Sequence, residues 1–196
     1  MSIATLPARP VLGDLLPGAR VRDAALVLTG TAFLAVAAQV AIPLWFTPVP
    51  LSLATFAVLL NGAALGPARG GLSVLLYAVM GIVGVPIFAD HATGWHFASF
   101  GYVLGYLPAA LAVGALARRR ADRSLLGTIG LGCLGAVIVY AVGVPWLMGF
   151  AHVDLMTGLR LGAFPFLVGD ALKAVAIALL LPGTWKLIDK VGLRMR

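Results

Sequence analysis

Long apolar runs separated by short polar connections make up most of this chain. Six runs are long enough to cross a bilayer core, at approximately 23–43, 49–66, 70–88, 99–117, 125–148 and 160–181. Their apolarity is continuous and lacks the alternation of lipid-facing strands, which excludes a transmembrane β-barrel. Since only helices and closed barrels satisfy the backbone inside a bilayer, the pattern predicts an all-α integral membrane protein with six transmembrane helices in one domain, 23–188.

Composition agrees with this pattern. The 196 residues are 61% hydrophobic and 11% charged, and the mean hydropathy is +1.04. A soluble domain has roughly 25% charged residues, so a soluble protein of 20.2 kDa could not bury this much apolar surface. We therefore expect the lipid bilayer to surround most of the molecule.

The basic residues predict the orientation. Net charge is +7, but the charges form short clusters between apolar runs, and no basic face interleaved with aromatics indicates nucleic acid. Twelve of the fourteen basic residues lie on one side: Arg9, Arg20, Arg22, Arg69, Arg118, Arg119, Arg120, Arg123, Lys186, Lys190, Arg194 and Arg196. By the positive-inside rule, both termini are cytoplasmic.

The two ends of the chain are predicted to be cytoplasmic tails, 1–22 and 189–196. The first contains Pro7, Pro10 and Pro17 and lacks the apolar core of a signal peptide, so we expect a mobile segment. On the outer side, Pro48 and Pro50 force an extended connection at 43–50, either an interfacial turn or a lid over a ligand.

An acid and a base lie inside the last apolar run. Asp170 and Lys173 are three residues apart, so they project about 60° apart from one helix face, which Phe166 and Ile177 share. A purely structural ion pair there would be costly to desolvate, and charges inside a membrane helix are generally functional. The pair therefore predicts a ligand site with one strong acceptor and one strong donor.

Motifs for other chemistry are weak. The G-x-G-x-x-G match at 130–135 lies inside a predicted span, where small residues favour helix packing rather than dinucleotide binding. No Walker A motif is present, so another subunit must supply any ATP hydrolysis. The outer residues Asp90, His91, His96, His152 and Asp154 have none of the usual zinc spacings. We expect no metal, no cofactor and no catalysis, with a membrane enzyme using His91, His96 or His152 as the alternative.

Several blocks in this order resemble the BioY family, the biotin-specific substrate-binding subunits (S components) of energy-coupling factor (ECF) transporters. The specific blocks are FTPVPL at 46–51 and PFLVGDALK at 165–173; supporting blocks are LSVLLY at 72–77, GVPIFA at 84–89 and GYVLGY at 101–106. The resemblance covers about 24–182. It implies a six-helix bundle in a prokaryotic cell membrane that binds biotin from outside, while a transmembrane coupling subunit and two cytoplasmic ATPases drive its release.

The resemblance also implies a binding site. Asp170 and Lys173 match the acid and lysine that hold the polar ring of biotin, and Tyr102 matches a tyrosine after a glycine turn. Asp90 stands where we expect an asparagine, and Leu53-Ala54-Thr55 replaces a segment that often holds glutamine. The turn Ala98–Tyr102 also departs from the family pattern.

The sequence offers several candidate residues for the other parts of the ligand. The aromatic residues Phe46, Trp95, Tyr102 and Phe166 are candidates to pack against the apolar ring of biotin. Arg160, Tyr106 and loop amides are candidates for its carboxylate. The departures at Asp90 and in the turn keep another vitamin, such as thiamine or riboflavin, as an alternative ligand.

Overall fold

A computed structural model describes residues 10–16 and 20–191. Six α-helices run through this part: α1 (Arg20–Gln39), α2 (Ala54–Ile82), α3 (Phe100–Ala117), α4 (Leu125–Ala151), α5 (Leu155–Gly162) and α6 (Leu167–Val191). A two-stranded antiparallel ladder joins β1 (Ala41–Ile42) to β2 (Leu51–Ser52), and 3₁₀ turns cover Leu12–Leu15, Ala89–His91, Ala121–Arg123 and Phe164–Phe166. Five helical segments are long and apolar enough to cross a membrane.

Helix α2 reverses direction at Gly66. Its backbone there has φ 82° and ψ 174°, a conformation open to glycine, and Pro67 follows. In a straight helix Gly62 and Gly70 would be about 12 Å apart, yet a Cβ built on Gly70 lies 2.9 Å from the Gly62 Cα. The two halves of α2 therefore form a tight hairpin with its turn at Gly66, and they correspond to the predicted runs at 49–66 and 70–88.

Helix α1 packs against both halves of this hairpin. The Asn61 side-chain amide donates to the Gly30 carbonyl at 2.8 Å. The Thr31 hydroxyl donates to the Ser73 carbonyl at 3.0 Å. These bonds join neighbouring residues of α1 to opposite arms of α2, and they satisfy buried polar groups that lipid could not.

Glycines allow the backbones of neighbouring helices to approach closely where they cross. A Cβ on Gly114 of α3 would lie 2.6 Å from the Pro67 nitrogen, and one on Gly105 would lie 3.0 Å from the Val139 Cα of α4. A Cβ on Gly132 would lie 3.1 Å from the Ala174 Cα of α6. Gly132 and Gly135 belong to the G-x-G-x-x-G match and pack closely against neighbouring helices, as predicted, whereas Gly130 has no atom within 4 Å of its Cβ position.

The last predicted run is interrupted. The sequence predicts one span at 160–181, but α5 ends at Gly162 and α6 begins at Leu167. Pro165 lies in the 3₁₀ turn between them, and proline cannot donate a backbone hydrogen bond to a continuing helix. The start predicted at 160 is therefore wrong, and the helix that carries Asp170 and Lys173 starts one turn before the acid and extends to Val191.

The segment around Val11 is packed rather than mobile. Val11 is fully buried, and Asp14 bonds the Arg69 guanidinium at 2.7 Å. Arg69 also lies 3.1 Å from Asp23 of α1. The segment thus fastens α1 to the turn of α2, which corrects the predicted mobile tail for this part; residues 1–9, 17–19 and 192–196 of the predicted tails lie outside the described residues.

Asp14 gives a testable pH dependence. Burial alone would raise the pKa of its carboxyl, but the Val11 N–H and the Arg69 guanidinium outweigh burial and hold the pKa below its usual range. A lowered folded-state pKa contributes stability above the ordinary value of about 3.9, and this is lost as pH falls through the folded value. We expect Asp14→Asn to lower the thermal unfolding midpoint at pH 7.

The same variant should also respond less to acid. On acidification below about pH 4, the difference between wild type and Asp14→Asn should shrink, because the wild-type carboxylate becomes protonated. Thermal unfolding in detergent at a series of pH values measures this. A pH-independent gap between the two proteins would contradict the assignment.

Candidate ligand-binding site

A cavity opens at the end of the bundle opposite Arg69 and Arg118, beneath the connection at 43–50. The space between its lining atoms is about 560 Å³, a figure that includes its open mouth. Its lining comes from β2, α2, α3, α4 and α6 and the connections at this end: Val49, Pro50, Leu51, Ser52, Ala54, Thr55, Tyr77, Ala89, Ser99, Tyr102, Val103, Tyr106, Val139, Tyr140, Phe166, Asp170 and Lys173.

The predicted acid and base lie together on this wall. The Lys173 Nζ is 2.9 Å from the Asp170 Oδ1, and their side chains are 11% and 13% exposed. A nearly buried charge pair needs further hydrogen bonds to offset its desolvation. Two neighbouring side chains from other helices provide them.

Thr55 and Tyr140 complete the network. Lys173 donates to the Thr55 hydroxyl at 2.8 Å, and Thr55 in turn donates to the Asp170 Oδ1 at 3.5 Å. The Tyr140 hydroxyl donates to the other carboxylate oxygen, Oδ2. Three helices therefore fix both charges: α2 through Thr55, α4 through Tyr140 and α6 through the pair itself.

The C-terminal end of α5 is fixed beside the cavity. The Tyr102 hydroxyl donates to the Gly162 carbonyl at 2.7 Å, and the Thr47 hydroxyl donates to the Leu161 carbonyl at 2.7 Å. These are terminal helix carbonyls that lack intrahelical partners. Tyr102 thus uses its donor to hold α5, and its ring edges the cavity.

Two further tyrosine hydroxyls face the same space. Tyr77 and Tyr106 line the cavity and are 1% and 7% exposed. A phenol hydroxyl can both donate and accept a hydrogen bond. Both could therefore donate to a ligand.

The connection at 43–50 crosses the mouth as the prolines predict. The ladder pairs Ile42 with Leu51, Thr47 ties the connection to α5, and Val49 is 5% exposed where it lines the cavity. The sequence did not predict the ladder, because two residue pairs leave no periodic pattern. The connection lies over the cavity, as either an interfacial turn or a lid would.

Four of the seven predicted site residues line the cavity: Asp170, Lys173, Tyr102 and Phe166. Phe46 does not, because it lies on the outer face of the connection, 43% exposed and stacked edge-on against Trp45. Trp95 is 57% exposed and borders a separate groove with Phe150.

Asp90 also lies outside this cavity. Its backbone and that of His91 are left-handed, each with φ 57°, a conformation in which aspartate and histidine are enriched. The turn leaves Asp90 exposed and brings Ala89 to the cavity wall instead. Ser99 is the lining residue from the Ala98–Tyr102 turn, while Phe100 is buried in an aromatic cluster with Phe88.

The outer polar residues do not gather into a metal site. Within residues 10–16 and 20–191, no three histidine, cysteine, aspartate or glutamate side chains are placed to hold a metal ion. Arg160 is exposed and does not line the cavity, whereas Tyr106 does.

Sequence reasoning missed Tyr140 and gave no role to Tyr77. Tyr140 is the one hydroxyl-bearing aromatic within α4, and a polar ring in a 27-residue apolar helix is a usable signal. Thr55 belongs to a segment that departs from the family pattern, and its hydroxyl accepts a hydrogen bond from Lys173 of the charged pair.

A sequence model described as BioY family matches residues 9–190. A probable biotin transporter BioY of Pyrococcus horikoshii is 33% identical over 164 residues, which cover 82% of this chain and 94% of that protein. The biotin transporter BioY of Thermotoga maritima is 34% identical over 153 residues, covering 76% and 88%.

A solved structure shares the fold. It is the crystal structure of the S-component for biotin from an ECF-type ABC transporter, with a TM-score of 0.77 and 24% identity, covering 85% of this chain and 92% of that one. This likeness shows that the two chains share an arrangement of helices. The sequence matches above 30% identity indicate common descent. On the match over residues 9–190 and the relatives above 30% identity, this chain belongs to the BioY family.

Proposed function

We propose that this protein is the biotin-binding membrane subunit of an ECF-type vitamin importer. The observation that carries the proposal is the hydrogen-bonded network of Asp170, Lys173, Thr55 and Tyr140 on the wall of a cavity. The names of its relatives support the choice of biotin.

The free hydrogen-bonding capacity of the network suits one edge of a cyclic urea. An ammonium group has three donors; Lys173 uses two, on Asp170 and Thr55, and keeps one for a carbonyl. A carboxylate has about four acceptor positions; the bonds from Lys173, Thr55 and Tyr140 leave one on Oδ2 for an N–H. Biotin presents an adjacent N–H and C=O in its ureido ring.

The remainder of the cavity suits the rest of the ligand. Val103, Val139 and Phe166 provide an apolar wall for the sulfur ring. The hydroxyls of Tyr77 and Tyr106 and the backbone at the mouth are available to the valerate chain and its carboxylate. Phe46, Asp90 and Trp95 contact this ligand only if the connections that carry them close further over the mouth.

The bundle is proposed to cross the membrane six times, with the two arms of α2 counted separately. The clusters containing Arg20, Arg69, Arg118 and Lys186 then lie at the cytoplasmic surface, with both termini inside, and the membrane domain spans 23–188. A transmembrane coupling subunit and two cytoplasmic ATPases release the ligand into the prokaryotic cell. The protein itself performs no catalysis.

Equilibrium binding to purified protein tests the proposal. In isothermal titration calorimetry in detergent, biotin should bind with a dissociation constant below the micromolar range. Thiamine and riboflavin should neither bind tightly nor compete. Saturable binding of one of those vitamins in place of biotin would identify a different ligand, and no saturable binding of biotin would refute the proposal.

A further inference from the structure

We propose that Tyr140 determines ligand specificity by limiting the number of N–H donors that Asp170 accepts. The inference rests on the proposed function, because it concerns how the same site distinguishes ligands. It predicts selection for a neutral cyclic urea, with one carbonyl acceptor beside its N–H groups, over a cyclic guanidine, which replaces that carbonyl by a further N–H donor.

The geometry assigns each carboxylate oxygen a different environment. Oδ1 accepts from Lys173 at 2.9 Å and has the Thr55 hydroxyl at 3.5 Å, so the protein occupies most of its acceptor capacity. Oδ2 accepts from the Tyr140 hydroxyl and keeps about one position free. Tyr140 thus acts as a fixed donor that occupies the position where a second ligand N–H would otherwise bind.

The position of Tyr140 supports this assignment. It lies in α4, while Asp170 and Lys173 lie in α6, so the bond does not follow from the local geometry of one helix. Its ring borders the cavity, which places the hydroxyl where both ligand and acid can reach it. The remaining N–H of the Lys173 ammonium requires an acceptor on the ligand. A guanidinium group has only donors, so it offers none.

Removing the Tyr140 hydroxyl frees a second position on Oδ2. With the Tyr140 hydroxyl gone, Oδ2 can accept two N–H bonds from one ligand, the ring N–H and the exocyclic N–H of a guanidinium group. Tyr140→Phe should therefore bind the cyclic guanidine analogue 2-iminobiotin more tightly relative to biotin. We expect the ratio of the two dissociation constants to shift by about tenfold, the effect of one added charge-assisted bond.

The experiment compares biotin and 2-iminobiotin on wild type, Tyr140→Phe and Tyr77→Phe. Tyr77→Phe removes a hydroxyl from the same cavity that is not bonded to Asp170, so it should leave the ratio unchanged. A variant that merely loosened the site would weaken the binding of both ligands and leave the ratio of their dissociation constants unchanged. If Tyr140→Phe fails to fold, Tyr140→Leu also lacks the donor and tests the same ratio.

The outcomes separate this inference from the proposed function. If wild type does not bind biotin, the proposed function fails. If wild type binds biotin and the ratio is the same in Tyr140→Phe and Tyr77→Phe, only the role of Tyr140 is refuted. A shift toward 2-iminobiotin confined to the Tyr140 variants supports it.

Discussion

Replacing Asp170 by asparagine is expected to weaken biotin binding by about tenfold to 150-fold. The carboxylate is proposed to accept an N–H of the ureido ring, and a hydrogen bond to a charged group contributes about 1.5–3 kcal/mol. The change also leaves Lys173, whose side chain is 11% exposed, without its counter-charge. Isothermal titration calorimetry on purified wild type and Asp170→Asn measures the change in affinity.

A double variant separates binding from folding. Asp170→Asn leaves a buried cation unpaired, which should lower the thermal unfolding midpoint, whereas Asp170→Leu with Lys173→Met removes both charges. The double variant should regain stability relative to Asp170→Asn and still not bind biotin tightly. Wild-type affinity in Asp170→Asn would remove this acid from the binding site.

Gly114→Val is expected to have the largest effect on folding. A Cβ on Gly114 would lie 2.6 Å from the Pro67 nitrogen, 2.7 Å from the Gly66 carbonyl carbon and 2.8 Å from the Gly62 oxygen. All three are backbone atoms at the reversal of α2, so no side chain can rotate away. Overpacking typically costs about 1–3 kcal/mol, and we expect at least the upper value here.

The matched control is Gly130→Ala. A Cβ on Gly130 of α4 has no atom within 4 Å, and alanine favours a helix over glycine by about 1 kcal/mol. Its thermal unfolding midpoint in detergent should therefore equal or exceed that of wild type, while Gly114→Val should unfold well below it or fail to purify as a monodisperse protein. Equal midpoints for Gly114→Val and wild type would show that α3 does not cross α2 at this distance.

Much of the architecture could be predicted because its causes are local in sequence. Apolar run length identifies the spans, and the break at Gly66-Pro67 falls where two predicted runs meet. Asp170 and Lys173 could be predicted as site residues because charges inside an apolar helix are costly and are generally functional. Phe166 could be proposed because it shares a helix face with that pair, and the family resemblance supplied Tyr102; the structure brings both to the cavity.

The parts that could not be predicted depend on tertiary register. Tyr140 joins Asp170 only because α4 packs against α6 at one rotation, and no spacing in the sequence encodes that rotation. Asp90 is turned outward by two consecutive left-handed residues, a backbone property that residue type alone does not reveal. The packed segment at Val11 likewise depends on Arg69, more than fifty residues later.

Infrared spectroscopy of bound biotin labelled with ¹³C at the ureido carbonyl tests the central claim most directly, namely that Lys173 donates to that carbonyl beside Asp170. On binding to wild type, the labelled carbonyl stretch should move to lower frequency than in water, because a charged donor in a cavity polarises the bond more strongly. In Lys173→Met, at ligand concentrations that still fill the site, most of this shift should disappear. Bound biotin with an unshifted carbonyl, or the same shift in Lys173→Met, would contradict the account.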